Sequence, residues 1–531
     1  MRIFPGSDGG LPRGAARFSP RVRGFLPAVL ALLSGAGLLL LGAGSARADE
    51  PRNTTEPRVM QEPGEVTNVI DAFDDGDPFD LNISLGFDYS NKSARILRDT
   101  VIARPGLTTG GYTSHTLNVA NYGETTARLS PRIDVGLYKD IALHVTLPII
   151  LSNTRRLSQV DGKPTNGEAT AGAPGETLFS VPFSGPTRSG LEHIAVGLDF
   201  DILNQARDRS KPTWLFGFEG RFSVGTPMHA CNDKQAAGQV KCADPSDINR
   251  NGKSDGGNEG NDIKERSAGV TRGTIGLELH TIMSKRMKYI EPYGGFSALF
   301  EFQQSSSDYG ISDVTQTLIN HPPLRGTMML GMMVMPWENR EKFGRLTFDL
   351  RLAGTYNSEG RDYSELFDAL GSSTAPTLRQ PQWAAYQANP AFSANGCTDN
   401  NPMTPCLPRS VVDPGSQKTY TTGLTDVTAY GSFRISGSAT WQVGEYVKFQ
   451  FGLGFRHDQG HLITADAPCN PADKSDLTKS GPCHTGDEAT GIASTGVPNP
   501  NYRAAINSVG RRFWVDSSNT FDLFASGVVM F

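Results

Sequence analysis

The chain has 531 residues, of which 37% are hydrophobic and 20% charged, with 59 Gly, 34 Pro and a formal net charge of -5. That charge, with a pI near 6.0, excludes a nucleic-acid partner, which requires a basic face to neutralise phosphates. Beyond the N-terminus no apolar run reaches the ~20 residues of a membrane helix, so any membrane crossing has to be made with strands.

In chain order, Arg13, Arg17, Arg21 and Arg23 precede an uncharged Leu/Ala/Gly run from Phe25 to Ala46, and Ala46-Arg47-Ala48 supplies a small-x-small cleavage pattern. Residues 1–48 therefore read as a signal peptide, with a retained anchor helix as the alternative, and the mature chain is expected to start at Asp49. Residues 49–78 form a Pro-rich acidic tail with Asp71, Asp74, Asp75 and Asp77 around Phe73. Such a composition is expected to be a solvated linker; the alternatives are a plug entering a barrel from below or a contact for a periplasmic partner.

From Phe79 to Tyr89 the odd positions are apolar (Phe79, Leu81, Ile83, Leu85, Phe87, Tyr89) and the even ones polar or Gly, which is the period of a strand with one apolar face. The alternation recurs in Leu129–Leu137 and Ile141–Ile149, joined by a tight turn. Further hairpins are expected from Ile194–Ile202 with Trp214–Val224, Ile275–Met283 with Ile290–Phe302, Leu324–Val334 with Leu346–Tyr356, and Val427–Val443 with Val447–Phe455. Phe521–Phe531 is the last strand, giving about twelve.

Short turns near Tyr138, Gln205, Lys285, Asn339 and Glu445 alternate with long polar segments at about Ser90–Ser114, Ser152–Gly190, Thr226–Ala268, Gln303–Pro322, Ser358–Leu424 and Thr464–Gly510. Short turns on one side and long loops on the other are the pattern of an all-β transmembrane antiparallel barrel, here over residues 79–531, with periplasmic turns and extracellular loops. Strand length agrees, since ~10–16 residues exceed the ~5–6 of globular sheets and suffice to span a bilayer. Phe79, Tyr89, Tyr138, Trp214, Phe302, Trp337, Tyr356, Trp441 and Tyr446 lie near strand ends, where interfacial aromatic girdles form.

The final strand ends on Phe531, with Phe521, Leu523 and Val529 on the same face. It resembles the C-terminal recognition strand of bacterial outer-membrane barrels. That resemblance implies a cell outer membrane of Gram-negative type, outer-membrane lipid and the barrel-assembly machinery as partners, and no particular solute.

The face away from lipid carries Arg128, Arg132, Asp134, Asp199, Asp201, Glu219, Arg221, Arg272, Glu278, Glu291, Arg325, Arg345, Asp349, Arg351, Arg434, Lys448 and Arg456. Charge of both signs suits a water-filled pore, and it equally suits cross-strand ion pairs that fill a narrow lumen; twelve strands lie between the filled and open barrel sizes. His144 and His280 are expected to face the lumen singly, while His457 and His461 lie too far apart along a straight strand to share an ion. No histidine is followed two residues later by Ser, so the His-x-Ser pair of the twelve-stranded outer-membrane phospholipases is missing.

Three sequence-local disulfides are expected, Cys231–Cys242, Cys397–Cys406 and Cys469–Cys483, within long polar loops of an exported chain. Asp247, Asn249, Asn251, Lys253 and Asp255 follow the first nine positions of an EF-hand loop, a candidate structural calcium site, but Asn258 stands where the pattern wants a bidentate Glu. The expected function is a passive, porin-like channel for small hydrophilic solutes or ions, without a catalytic site or an organic cofactor. A surface-binding barrel is the alternative and a barrel-embedded hydrolase the third.

Overall fold

The structure is a computed structural model that describes residues 66–70, 72, 80–104, 111–172, 175–235, 240–242, 244, 247, 252–253, 262, 265–310, 321–379, 387–388, 410–411, 421–464, 479, 484–486, 494–498 and 502–531. Residues 1–48, Phe79, Asn249, Asn251, Asp255, Cys397, Cys406, Cys469 and Cys483 lie outside the described residues.

Twelve staves form the wall: β1 (Leu81–Arg104), β2 (Gly111–Tyr138), β3 in two segments (Ile141–Thr146 and Ile149–Ser158), β4 (Ile194–Leu203), β5 (Thr213–Phe222), β6 (Thr274–Ser284), β7 (Ile290–Gln303), β8 (Arg325–Asn339), β9 (Gly344–Asn357), β10 (Tyr430–Gln442), β11 (Val447–Asp458) and β12 (Phe513–Met530). Each pairs antiparallel with its sequence neighbours, and β12 returns to β1, with Ala525 opposite Phe87. The sheet is a closed up-and-down barrel, which removes the free edges that would otherwise recruit other chains. β3 breaks at Leu147-Pro148, where the proline has no N–H for the ladder.

The outer surface of the wall is apolar. Leu85, Phe451 and Leu453 are 51%, 63% and 55% exposed, and Ile83, Phe87, Phe348, Leu350, Phe449 and Leu523 continue the same band. A contiguous apolar belt around the whole wall belongs in lipid, not water. Exposed aromatics rim it at the short-turn end (Tyr138, Tyr289, Trp337, Trp441, Tyr446) and at the loop end (Tyr89, Phe302, Tyr356, Phe433, Phe455). Leu346 is level with Trp337 and Trp441, and Tyr356 lies ten residue steps further along β9 (356 − 346). At ~3.3 Å per residue and a tilt of ~40° these steps rise about 25 Å, the height of a membrane-barrel apolar band. Trp214 differs from the expected girdle residues: it is half-buried and donates its indole N–H to Thr281 Oγ1 at 2.8 Å.

Of the expected loop Ser90–Ser114, residues 90–104 and 111–114 are instead a continuation of the wall. β1 and β2 run for 24 and 28 residues and stay paired from Asn91 opposite Thr125 to Arg104 opposite Gly111. Above the lipid band neither face has to be apolar, so pairing continues while the alternation that marks a strand disappears. The connections of the loop end pack against the inner side of this extension. Ile96, Val119, Tyr122, Leu157 and Phe513 of the wall join Leu178, Phe179, Leu366, Leu370 and Ile506 in one buried apolar cluster. The loops therefore form a cap with its own core.

Candidate functional site

Alternation sends Asn82, Ser84, Arg132, Asp134, Asp199, Glu219, Glu278, Asp349 and Lys448 inward, opposite the lipid-facing rows, and every stave contributes to the lining of one cavity of about 550 Å³. Its acidic wall is a chain of ion pairs running across β2 to β6. Arg132 lies 2.6 Å from Asp134 and 3.7 Å from Asp199. His144 places Nδ1 2.9 Å from Asp199 Oδ2 and Nε2 3.1 Å from Glu219 Oε2, while His280 Nε2 meets Asp199 Oδ1 at 2.9 Å. Arg221 bonds Glu219 at 2.7 Å and also pairs with Glu278.

His144 and His280 thus converge on one carboxylate, contrary to the expectation that each faces the lumen alone. Two glycines permit it. Gly197 stands between His144 and Glu219 in the register, and Gly217 between Asp199 and His280; a Cβ at either position would collide with the imidazole reaching over it. A glycine inside an otherwise strong strand was the sequence signal for these contacts.

The other inward residues divide by height. Arg272 bonds Glu301 at 2.9 Å and Asp362 at 2.8 Å, Arg325 lies 3.5 Å from Glu301, and Arg128 lies 3.7 Å from Glu192. Arg434 meets Asp522 at 3.1 Å, Arg456 meets Asp458 at 3.4 Å, and Arg351 donates to Tyr293 Oη, which itself donates to Asp349 at 2.7 Å. Glu291 is fully buried and accepts from Ser284 at 2.7 Å. The Asp201 backbone N–H bonds the Asp140 carbonyl at the short-turn end.

At that end the lining also includes Val66, Asn68, Val69 and Ile70 of the N-terminal segment. Val69 packs with Ala142 and Leu215, and Thr67 is fully buried with its hydroxyl 2.7 Å from that of Ser284. These residues are inside the barrel rather than solvated, because an apolar Val-x-x-Val/Ile stretch within the acidic tail finds apolar wall at β3 and β5.

At the loop end, the segment carrying α1 (Phe367–Gly371) crosses the mouth. Glu365 bonds Lys92 of β1 at 2.7 Å, and Lys92 lies on the same even-numbered face as Asn82 and Ser84. Asp362 reaches Arg272 and, at 3.7 Å, Arg325 of β8, on the far side of the wall from β1. Asp368 receives Arg188 in a two-pronged bond at 2.6 and 3.0 Å and the Cys231 N–H at 3.0 Å. Cys231 and Cys242 are joined in a disulfide. Asp247 Oδ2 accepts the Gly252 N–H at 2.8 Å, and Lys253 lies 3.8 Å from Asp262. Among the described residues no group of three or more His, Cys, Asp or Glu side chains forms a metal centre.

Sequence reasoning passed over Gln442, which is neutral. Its side chain is 1% exposed with neither amide atom hydrogen-bonded, and the adjacent Arg345 is 3% exposed with Nη1 unpaired. Each such group costs ~1–3 kcal/mol relative to a satisfied one.

No family model matches the sequence, and a comparison with curated proteins finds no match. Solved structures with some likeness include a Pseudomonas aeruginosa FadL homologue (7% identity, 85% of this chain and 90% of that chain, TM-score 0.28). Others are the TodX monoaromatic hydrocarbon channel in a deltaS2 mutant (8%, 89% and 94%, TM-score 0.29) and the outer membrane protease OmpT of Escherichia coli (8%, 88% and 100%, TM-score 0.22). Likeness this low assigns neither solute nor chemistry, which leaves the geometry of the lumen to carry the function.

Proposed function

We propose that the chain is an outer-membrane channel for small hydrophilic solutes or ions, exported through residues 1–48 and inserted by way of the strand ending at Phe531. The observation that carries this reading is the cavity of about 550 Å³ to which all twelve staves contribute, with polar side chains over most of its wall. A space of that size matches one small molecule, not the wide aqueous lumen of sixteen-stranded porins. Solute passage then requires the N-terminal segment, the cap segment, or both to move aside.

Single-channel recording in planar bilayers tests it, with the chain from Asp49 compared against one lacking residues 49–78. Small or infrequent steps in the first and larger, frequent steps in the second are expected. Silence from both, with the barrel shown to be folded, would refute the channel.

The cap's own apolar core favours a second reading, a barrel that presents a folded outer surface to a partner. Under that reading, cap substitutions abolish partner capture and leave conductance unchanged. The oxygen spacing that begins at Asp247 supports a calcium-braced loop, which calcium-dependent protection of that loop from proteolysis tests.

A further inference from the structure

The short-turn end of the lumen holds a row of side chains that the ion-pair chain of the acidic wall does not use. Arg345 on β9 stands opposite Gln442 on β10, and Gln442 opposite Lys448 on β11, so the three lie side by side across adjacent staves. All three point inward. Lys448 lines the cavity directly, Arg345 is two positions from the lining residue Thr347, and Gln442 is two positions from the lining residue Thr440. Each is at least nine-tenths buried.

The hydrogen bonding of Arg345 and Gln442 within this row is incomplete. Arg345 Nη1 and both amide atoms of Gln442 have no hydrogen-bond partner. The carboxylate next in the register, Glu338, is bonded to Arg286 at 3.0 Å. A guanidinium is a planar fork of donors, and the neighbouring carboxamide adds an N–H on one side and an ammonium the next positive charge. That set matches an oxyanion, whose oxygens accept the fork and the amide N–H together.

We infer that Arg345, Gln442 and Lys448 form a binding subsite for a small oxyanion, a carboxylate or phosphate group, at the short-turn end of the lumen. This rests on the channel reading and deepens it: the solute carries such a group, and the subsite is the last one it meets on the way in. On the other wall Arg132, Arg221, His144 and His280 are already engaged by Asp134, Asp199, Glu219 and Glu278, which leaves this row as the place for the group.

The test uses the full mature chain refolded in detergent, with inorganic phosphate and acetate as probes, titrated calorimetrically in chloride buffer. Saturable binding of at least one probe is expected, weakened about tenfold or more by Arg345→Gln and about threefold by Gln442→Leu. Gln442→Leu removes an unpaired buried amide and keeps an apolar side chain in its place, and thermal denaturation of the variant separates ligand contact from stability. No saturable binding of either probe, or equal affinity in parent and both variants, overturns the subsite and shows that water alone occupies the row. Parallel bilayer recordings separate the two claims. Conductance without binding removes the subsite and leaves the channel, whereas binding without conductance removes the channel and leaves the subsite.

Discussion

Asp368→Asn is the substitution that most directly tests whether the cap is a folded closure. The Arg188 side chain is fully buried and that of Asp368 only 5% exposed, so neither charge has water to fall back on. Asn keeps the shape of the side chain, and it keeps one oxygen for either Arg188 or the Cys231 N–H, which now share Asp368 Oδ1. It leaves the guanidinium buried with the His229 carbonyl at 2.9 Å as its remaining acceptor. Breaking a buried pair by removing one partner costs ~3–5 kcal/mol. At ~1.4 kcal/mol per tenfold, the opening equilibrium of the cap rises by about two to nearly four orders of magnitude. Amide exchange of α1 reads this directly, because the Leu370 and Ser372 N–H groups are held by Leu366 and Asp368 carbonyls at 2.8 and 3.1 Å. The wall amides of β9 and β10 serve as the internal control and should not change. A paired replacement, Arg188→Met with Asp368→Leu, should restore most of the protection, since matched apolar groups carry no desolvation penalty. Protection lowered less than tenfold by Asp368→Asn, or lowered equally in the wall, would refute the argument.

Three further outcomes follow from the same contacts. Burial pushes the Glu365 carboxyl up, but the Lys92 ammonium more than offsets this and holds it below the usual range. A depressed carboxyl contributes stability that is present above its unfolded pKa and is lost as pH falls through the folded value. Cap amide protection should therefore drop below about pH 4, whereas Glu365→Gln should show weaker protection at neutral pH and little further loss in acid; an unchanged acid response in the variant would show that other groups control it. Val69→Asp places a carboxylate against Ala142 and Leu215, at a cost of at least ~2 kcal/mol, and should raise open probability in bilayer recordings about tenfold or more; unchanged gating would show that this segment does not obstruct the path. Replacing Cys231 and Cys242 by Ser opens a loop with a sequence separation of 11, at a cost of roughly 2–3 kcal/mol on the chain-entropy model. Faster proteolytic nicking between residues 231 and 242, with the wall intact, is the expected result, and equal nicking rates would count against a bracing role.

The wall was legible because lipid imposes a rule on every second residue. Ile83, Leu85 and Phe87 must be apolar and Asn82, Ser84 and Asp88 need not be, so strand number, turn positions and inward rows all follow from one period. The rule stops where the lipid stops. β1 and β2 continue past Tyr89 as paired strands through Asn91, Lys92 and Ser93, which carry no alternation and read as loop. The cap core was illegible for a related reason: Leu178, Phe179, Leu366 and Leu370 sit in Gly- and Pro-rich stretches with no period, and only their tertiary meeting makes them a core. Within the lumen, parity gave the direction of a side chain but not its height, and register decides height. His144 on β3 and His280 on β6 are three staves apart, and only the alignment of Gly197 and Gly217 on the two staves between them brings both to Asp199.

The two closures of the lumen are built to different strengths, and that difference bears on which one yields during transport. The loop end is held by the buried Arg188–Asp368 pair, the Lys92–Glu365 pair, the Arg272–Asp362 pair and an apolar cluster that includes four wall strands and three separate loops. Opening it would uncover buried charges and a core at once. The described contacts of the segment at the short-turn end include Val69 against Ala142 and Leu215, with Ile70 packed beside them, and a hydroxyl pair between Thr67 and Ser284. Withdrawing one valine from an apolar contact costs ~1.5–3 kcal/mol, and the buried hydroxyls, once uncovered, exchange their mutual bond for bonds with water at little net cost. On these contacts the N-terminal segment is expected to open more readily than the cap. Under the channel proposal, a solute entering from outside would meet the stronger closure first and the tail segment last.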